Sequence, residues 1–243
     1  MRDNESEFTV KEALINLVFP RRCPVCDDIV PAGEGLVCRQ CLAKPQYIME
    51  PRCRRCGKQL SKDTGIYCKD CTQRKHAFDY GYALYDYQSM RKSIYRFKYN
   101  KRCEYAAFYA EEIHRRLWDE ICMMNADAIV PVPVHRSRLR SRGFNQAGLV
   151  ATALSRRTGI PVYENLVRRV KNTIPQKALN IQERQNNLKK AFNISADVVK
   201  LNKTILIDDI YTTGSTLDAV ALELKKHGVE SVYFITLCIG EGL

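Results

Sequence analysis

Long hydrophobic runs are missing from this chain of 243 residues. No apolar stretch approaches the roughly 20 residues that cross a bilayer, which excludes a transmembrane helix. The nearest candidate, Ala13 to Pro20, is short, follows acidic residues and runs straight into cysteines. It lacks the basic start and small-residue cleavage site of a secretion signal, so an amphipathic segment and a cytoplasmic protein are expected. Histidine is scarce, and only His135 stands near a chemically suggestive stretch, so no general base is evident. Acids are absent where bases cluster. Residues 91–102 carry Arg91, Lys92, Arg96, Lys98, Lys101 and Arg102 with no acid, and residues 135–142 carry four arginines with none. A third basic stretch, Arg168 to Lys190, has only Glu183 against it. Within a net charge of +12, three such segments imply an anionic ligand. The interleaved Tyr95, Phe97 and Tyr99 offer rings for bases to stack on. The plainer alternative, and for the rings alone the favoured one, is a solvated basic face with a buried aromatic stripe.

What is abundant is cysteine, eleven in all, and eight of these form four Cys-x-x-Cys pairs in the first third of the chain. Cys23, Cys26, Cys38 and Cys41 make one tetrad; Cys53, Cys56, Cys68 and Cys71 repeat it thirty residues later, each with eleven residues between its pairs. Two closely spaced thiolates on a turn supply half of a tetrahedral shell, so this pattern predicts two structural Zn²⁺ sites. Each tetrad could close on its own zinc, or the pairs could interleave across two; local closure needs the shorter loops. Redox dithiols are the alternative, but nothing marks an attacking thiolate. Residues 21–75 hold little apolar material, so metal binding is expected to supply their folding energy. Cys103, Cys122 and Cys238 are expected to be packing residues.

The length suits one ordinary domain plus a small one, divided here as an N-terminal segment and cysteine module over 1–76 and a larger domain over 77–243. From residue 78 the pattern alternates: strands at Tyr80–Tyr85, Ala128–Val132 and Val232–Cys238, helices at Glu104–Cys122 and Asn145–Arg157. That alternation predicts an α/β fold, a mainly parallel sheet flanked by helices. Thr204 to Ile207, with no polar alternation, reads as a strand buried on both faces. It delivers Asp208 and Asp209 to its carboxyl end, where ligands bind in open α/β sheets. Behind them Thr212, Thr213, Gly214, Ser215 and Thr216 lead into a helix with Leu217, Val220, Ala221 and Leu224 at helical spacing, ending at Gly228. A helix N-terminus favours an anion, the hydroxyls add donors, and Gly214 lets backbone approach it closely. Adjacent carboxylates cannot both enter an apolar core, so they accept hydrogen bonds from sugar hydroxyls or hold Mg²⁺ through water. This is the chemistry of a bound ribose 5-phosphate. An acidic turn with a Thr-rich cap is the bland alternative, but a cap needs one hydroxyl, not four.

The stretch Ile205 to Thr216 resembles the phosphoribosyl pyrophosphate (PRPP) motif of type I phosphoribosyltransferases, although Tyr211 is bulkier than the residue often found before Thr-Thr-Gly. The resemblance implies that Asp208 and Asp209 contact the ribose hydroxyls, that Thr212 to Thr216 hold the 5-phosphate, and that Mg²⁺ accompanies PRPP. It also implies that the loop with four arginines reaching to Arg142 embraces pyrophosphate, through the backbone of its turn from Val134, His135 and Arg136 to Ser137 and with Arg136, Arg138 and Arg142 as candidate cations. Taken with the cysteine tetrads, Pro-Val-Pro-Val and Arg-Gly-Phe-Asn-Gln-Ala at 142–147, and the run from Gln176 to Phe192, the whole chain resembles the ComF family of competence-associated proteins. Two complete tetrads stand here where some relatives have one. Membership implies a role in DNA uptake during natural transformation beside a helicase-like partner, or a transferase of unsettled substrate. The implied reaction is attack of a nucleophile on C1 of PRPP with loss of pyrophosphate, under a polar flap expected at Val170–Arg184. Two alternatives stay open: a non-catalytic module that binds single-stranded DNA with the same pocket and basic segments, and a nucleobase salvage enzyme.

Overall fold

The computed structural model describes residues 20–31, 33–63, 65–170, 191–195 and 201–240. The expected amphipathic segment, nearly all of the expected flap and most of the run from Gln176 to Phe192 lie outside them. The larger domain is built in the order β1 (Tyr80–Asp86), α1 (Tyr87–Tyr99), α2 (Tyr105–Met124), β2 (Ala128–Pro131), α3 (Arg136–Arg142) and α4 (Gln146–Thr158). There follow β3 (Val167–Arg169), β4 (Phe192–Ile194), β5 (Lys203–Tyr211), α5 (Ser215–Lys226) and β6 (Ser231–Ile239). The main sheet runs β1-β6-β5-β2, all parallel, and β3 pairs antiparallel with β4 apart from it. Beyond β2, Val162 makes a further parallel bridge with Ile129.

Side-chain alternation sorts the sheet into two layers. Ile129, Ile205, Ile207, Ile235 and Leu237 share a core with α1, α2 and α4. Val130, Leu206 and Phe234 share the other with Leu217, Val220 and Leu224 of α5 and Phe192 of β4. Both faces are covered, so β5 reads as an unbroken apolar run at Thr204–Ile207, all fully buried.

Helix α1 departs from the expected alternating stripe. The Asp86 carboxylate caps it by accepting from the N–H groups of Gln88 (2.8 Å) and Ser89 (3.2 Å). Met90, Ile94 and Phe97 then recur at helical spacing and are buried, while Tyr95 and Tyr99 turn outward at 59% and 58% exposure. Two further corrections bear on the site. The four arginines lie not on a loop but on helix α3, capped by His135, whose Nδ1 accepts from the Ser137 N–H at 3.2 Å. And β5 does not end before its acids. It continues paired with β6 to Tyr211, while its pairing with β2 stops at Ile207. Connections leave β2 and β5 in opposite directions across the sheet, and the gap beyond Ile207 is a crevice at a topological switch point.

The cysteine module consists of two ribbons of like construction. Arg22 bridges Ile29 in the first and Arg52 bridges Gln59 in the second. The first ribbon has a small core of Cys23, Val30 and Cys41. The second shares a core with the sheet, where Cys53, Cys56, Leu60 and Cys68 meet Phe78 and Phe234. Arg55 donates to the carbonyls of Phe78 (3.2 Å) and Asp79 (2.7 Å), tying this ribbon to the start of β1.

Candidate functional site

The four sulfur atoms of each tetrad lie within 4.8 Å of one another. Cys26 and Cys38 are 3.7 Å apart across the first, Cys56 and Cys68 3.7 Å across the second. A tetrahedral zinc with bonds near 2.3 Å requires sulfur pairs about 3.8 Å apart. Both tetrads fit that metal, each closed on itself, so the interleaved pairing falls away.

A cavity of about 430 Å³ opens at the carboxyl end of β5. Asp208 and Asp209 form one wall, Thr212 and Thr216 border it, and Val134, Arg138 and Arg142 face them from the β2–α3 corner. The other expected loop residues stand behind this lining. Thr213 and Ser215 are buried with their hydroxyls 2.8 Å apart, and Gly214 is left-handed at φ 72°. A Cβ on Gly214 would sit 2.8 Å from the Tyr211 hydroxyl, so the bulk of Tyr211 is accommodated by that glycine. Tyr211 stacks on Phe234 at 5.4 Å and belongs to the core. The loop is also braced by the segment that joins the second ribbon to β1. Asp218, in the first turn of α5, accepts from the Ala77 N–H (2.8 Å) and pairs with His76 (2.9 Å). His135 and Arg136 face away, lining a neighbouring cavity of about 680 Å³ beyond Pro133 and Val134.

Four polar residues of the crevice were not among the expected site residues: Lys98 and Tyr99 at the end of α1, Asn145 before α4, and Arg169 at the end of β3. Lys98 pairs with Asp209 at 2.8 Å, and both side chains are under one-fifth exposed. Arg142 lies over the Tyr99 ring at 5.0 Å. Asn145 forgoes capping α4 and instead donates to the Val132 carbonyl at 3.1 Å, fixing the end of β2. Burial, with Arg138 nearby, pulls Arg169 down to about 10, still cationic at neutral pH. The acids differ. Burial, then the charge of Asp209, pushes Asp208 up to about 7, against the Asp209 N–H, Lys98 and Arg169. Four cations thus face two acids, one paired with an ammonium and the other raised to about 7. This donor set does not fit a magnesium ion held by the protein's own carboxylates; it fits a multiply anionic ligand.

Residues 14–72 match the family model of the double zinc ribbon domain, and residues 142–241 that of the phosphoribosyl transferase domain. Over 220 residues the chain is 31% identical to Competence protein F of Haemophilus influenzae (strain ATCC 51907 / DSM 11121 / KW20 / Rd), covering 88% of this chain and 95% of the relative. This chain belongs to the ComF family. Another ComF-family relative is Competence protein ComFC of Bacillus subtilis (strain 168), 30% identical over 212 residues, 83% of each chain. DNA utilization protein YhgH of Escherichia coli (strain K12) is 28% identical over 228 residues, 91% of this chain and 98% of that one. The fold is accordingly the phosphoribosyltransferase α/β fold with an N-terminal double zinc ribbon, and the two cysteine tetrads are structural zinc sites of the ComF family.

Proposed function

We propose that the crevice beside β5 binds a ribose 5-phosphate group, as PRPP, and that the protein is a cytoplasmic phosphoribosyltransferase-type component of DNA uptake. The observation that carries this is the convergence of Asp208, Asp209, the Thr212–Thr216 turn and four cations on one cavity. The names of the relatives, competence and DNA utilization proteins, supply the biological setting.

In this reading the first turn of α5, whose N–H groups have no intrahelical carbonyl to meet, receives the 5-phosphate. Asp208 and Asp209 accept from the ribose hydroxyls. Arg138, Arg142 and Arg169 stand where pyrophosphate departs, and guanidinium forks match its oxygens bidentately. They stabilise the charge that grows as the bond from C1 to pyrophosphate breaks and that to the entering nucleophile forms. Magnesium arrives bound to the pyrophosphate of the ligand. The test is pyrophosphate release from PRPP against a panel of bases, with and without single-stranded DNA. Absence of PRPP binding by calorimetry would remove this reading.

A second reading, single-stranded DNA binding, is favoured by Tyr95 and Tyr99. Their exposed rings lie 5.0 Å apart on α1, and Tyr99 lines the same crevice.

A further inference from the structure

The ribose end of the crevice already contains a cation of its own. Lys98 Nζ lies 2.8 Å from Asp209 Oδ2, with side-chain exposures of 16% and 19%. The pair is held in place from behind. Gln146, only 1% exposed, accepts from Arg142 at 3.1 Å and reaches the Lys98 carbonyl at 3.5 Å. Asp209 takes its place from β5, and Lys98 takes its place from the last turn of α1, where a cation complements the helix dipole. The two meet across the layer of side chains that includes Phe97 and Ile207. An ammonium has three donors. One faces Asp209, leaving the group able to donate to a sugar hydroxyl or phosphate oxygen beside it.

We infer that the Lys98 ammonium is the resident cation of this crevice and contacts the ribose hydroxyls directly, so that capture of a ribose 5-phosphate group needs no divalent metal. The inference rests on the ribose-phosphate reading above; it adds a residue to that reading and removes a metal requirement from its ribose half. A divalent ion would bridge acid and hydroxyl by sharing oxygens; Lys98 bridges them by donating to both. Metal then belongs to the pyrophosphate half of PRPP alone, and ribose 5-phosphate, which lacks that half, isolates the contribution of Lys98.

The experiment is calorimetric titration of the zinc-loaded full chain with ribose 5-phosphate, in buffer stripped of divalent ions by resin and again with magnesium added. Resin treatment of the buffer spares the structural zinc, which is checked by metal analysis. Wild type is expected to bind equally in both buffers, within about twofold, while Lys98→Met loses about tenfold or more without magnesium, the scale of one hydrogen bond to a charged group. Lys98→Arg is expected to retain most of the affinity. Lys98→Met must match wild type in zinc content and thermal midpoint; if it does not, the arginine variant and the magnesium dependence of wild type decide. Wild-type binding that appears only with magnesium, or undiminished binding by Lys98→Met, overturns the inference while leaving the ribose-phosphate reading intact. Failure of wild type to bind ribose 5-phosphate and PRPP in either buffer overturns both.

Discussion

Asp27 and Gly57 occupy the same place in successive cysteine knuckles, both left-handed, at φ 71° and 72°, and each is a point at which its ribbon meets the larger domain. Asp27 does so with its side chain, holding Arg102 at 2.9 Å and accepting from the Tyr105 hydroxyl at 2.6 Å. Burial works to raise its carboxyl, but the hydrogen bonds from Arg102 and Tyr105 hold it below the usual range. Gly57 does so by having no side chain, since a Cβ there would lie 2.7 Å from the Gly81 carbonyl oxygen and 2.8 Å from Tyr82 Cα.

The two positions therefore respond differently to substitution. Gly57→Ala adds left-handed strain to an overlap with β1 backbone and is expected to destabilise by about 2–5 kcal/mol. Asp27→Gly keeps the turn and loses one partly buried ion pair and the hydrogen bond from Tyr105, together about 1–2 kcal/mol. Thermal unfolding of both variants checks the order, and equal effects would contradict it.

Each tetrad closes on its own zinc, so a single serine should remove one metal and leave the other. Cys41→Ser and Cys68→Ser are each expected to fall from two zinc ions per chain to one, measured by elemental analysis. Because Cys68 shares the main core with Phe78 and Cys41 does not, Cys68→Ser should lower the thermal midpoint further. The double variant Cys23→Ser/Cys41→Ser should likewise keep one ion, because both ligands belong to the same zinc; loss of both ions from it would restore the interleaved arrangement.

Asp208 makes ligand-free stability depend on pH. Its folded value is raised from 3.8 to about 7, so the folded state holds the proton more tightly than the unfolded chain. The stabilising contribution is fully present below 3.8 and is lost as pH rises to about 7. Asp208→Asn, facing the same Asp209, Lys98 and Arg169, has no such slope. Its thermal midpoint should gain on wild type through this window, by at least about 2–4 °C, and run parallel above it. Parallel curves throughout would show that Asp208 titrates normally.

If a nucleic acid strand lies on α1, Tyr95→Ala and Tyr99→Ala should each weaken binding of a short oligothymidylate by about 1–3 kcal/mol, leaving zinc content unchanged. Fluorescence anisotropy at fixed salt measures this. An effect from lysines and arginines alone would reduce α1 to a charged surface.

What could be read from the residues was what is local along the chain. Asp208 to Thr216 declares itself because strand, acids, hydroxyls and glycine are consecutive, and the tetrads because their spacing repeats. Lys98 escaped because Tyr95, Phe97 and Tyr99 alternate like a strand, although Asp86 before Met90, Ile94 and Phe97 is a legible cap and stripe. Helix α3 escaped because its one apolar residue, Leu139, is 41% exposed, leaving no periodicity to detect. Asn145 and Arg169 reach the crevice only through tertiary packing, from a helix cap and a separate hairpin. No spacing rule joins them to Asp208.

The segment between the ribbons lies along the outer side of β1. The Ile48 N–H donates to Leu84 O at 3.1 Å, the Asp86 N–H donates to Gln46 O at 2.8 Å, and Tyr47 binds the buried Glu112 of α2. This segment is a selvage, closing the free margin of the sheet against strands from other molecules. A polypeptide trimmed to 77–243 would bare that margin together with the apolar seat of Leu60, and should self-associate more than the full chain in light scattering.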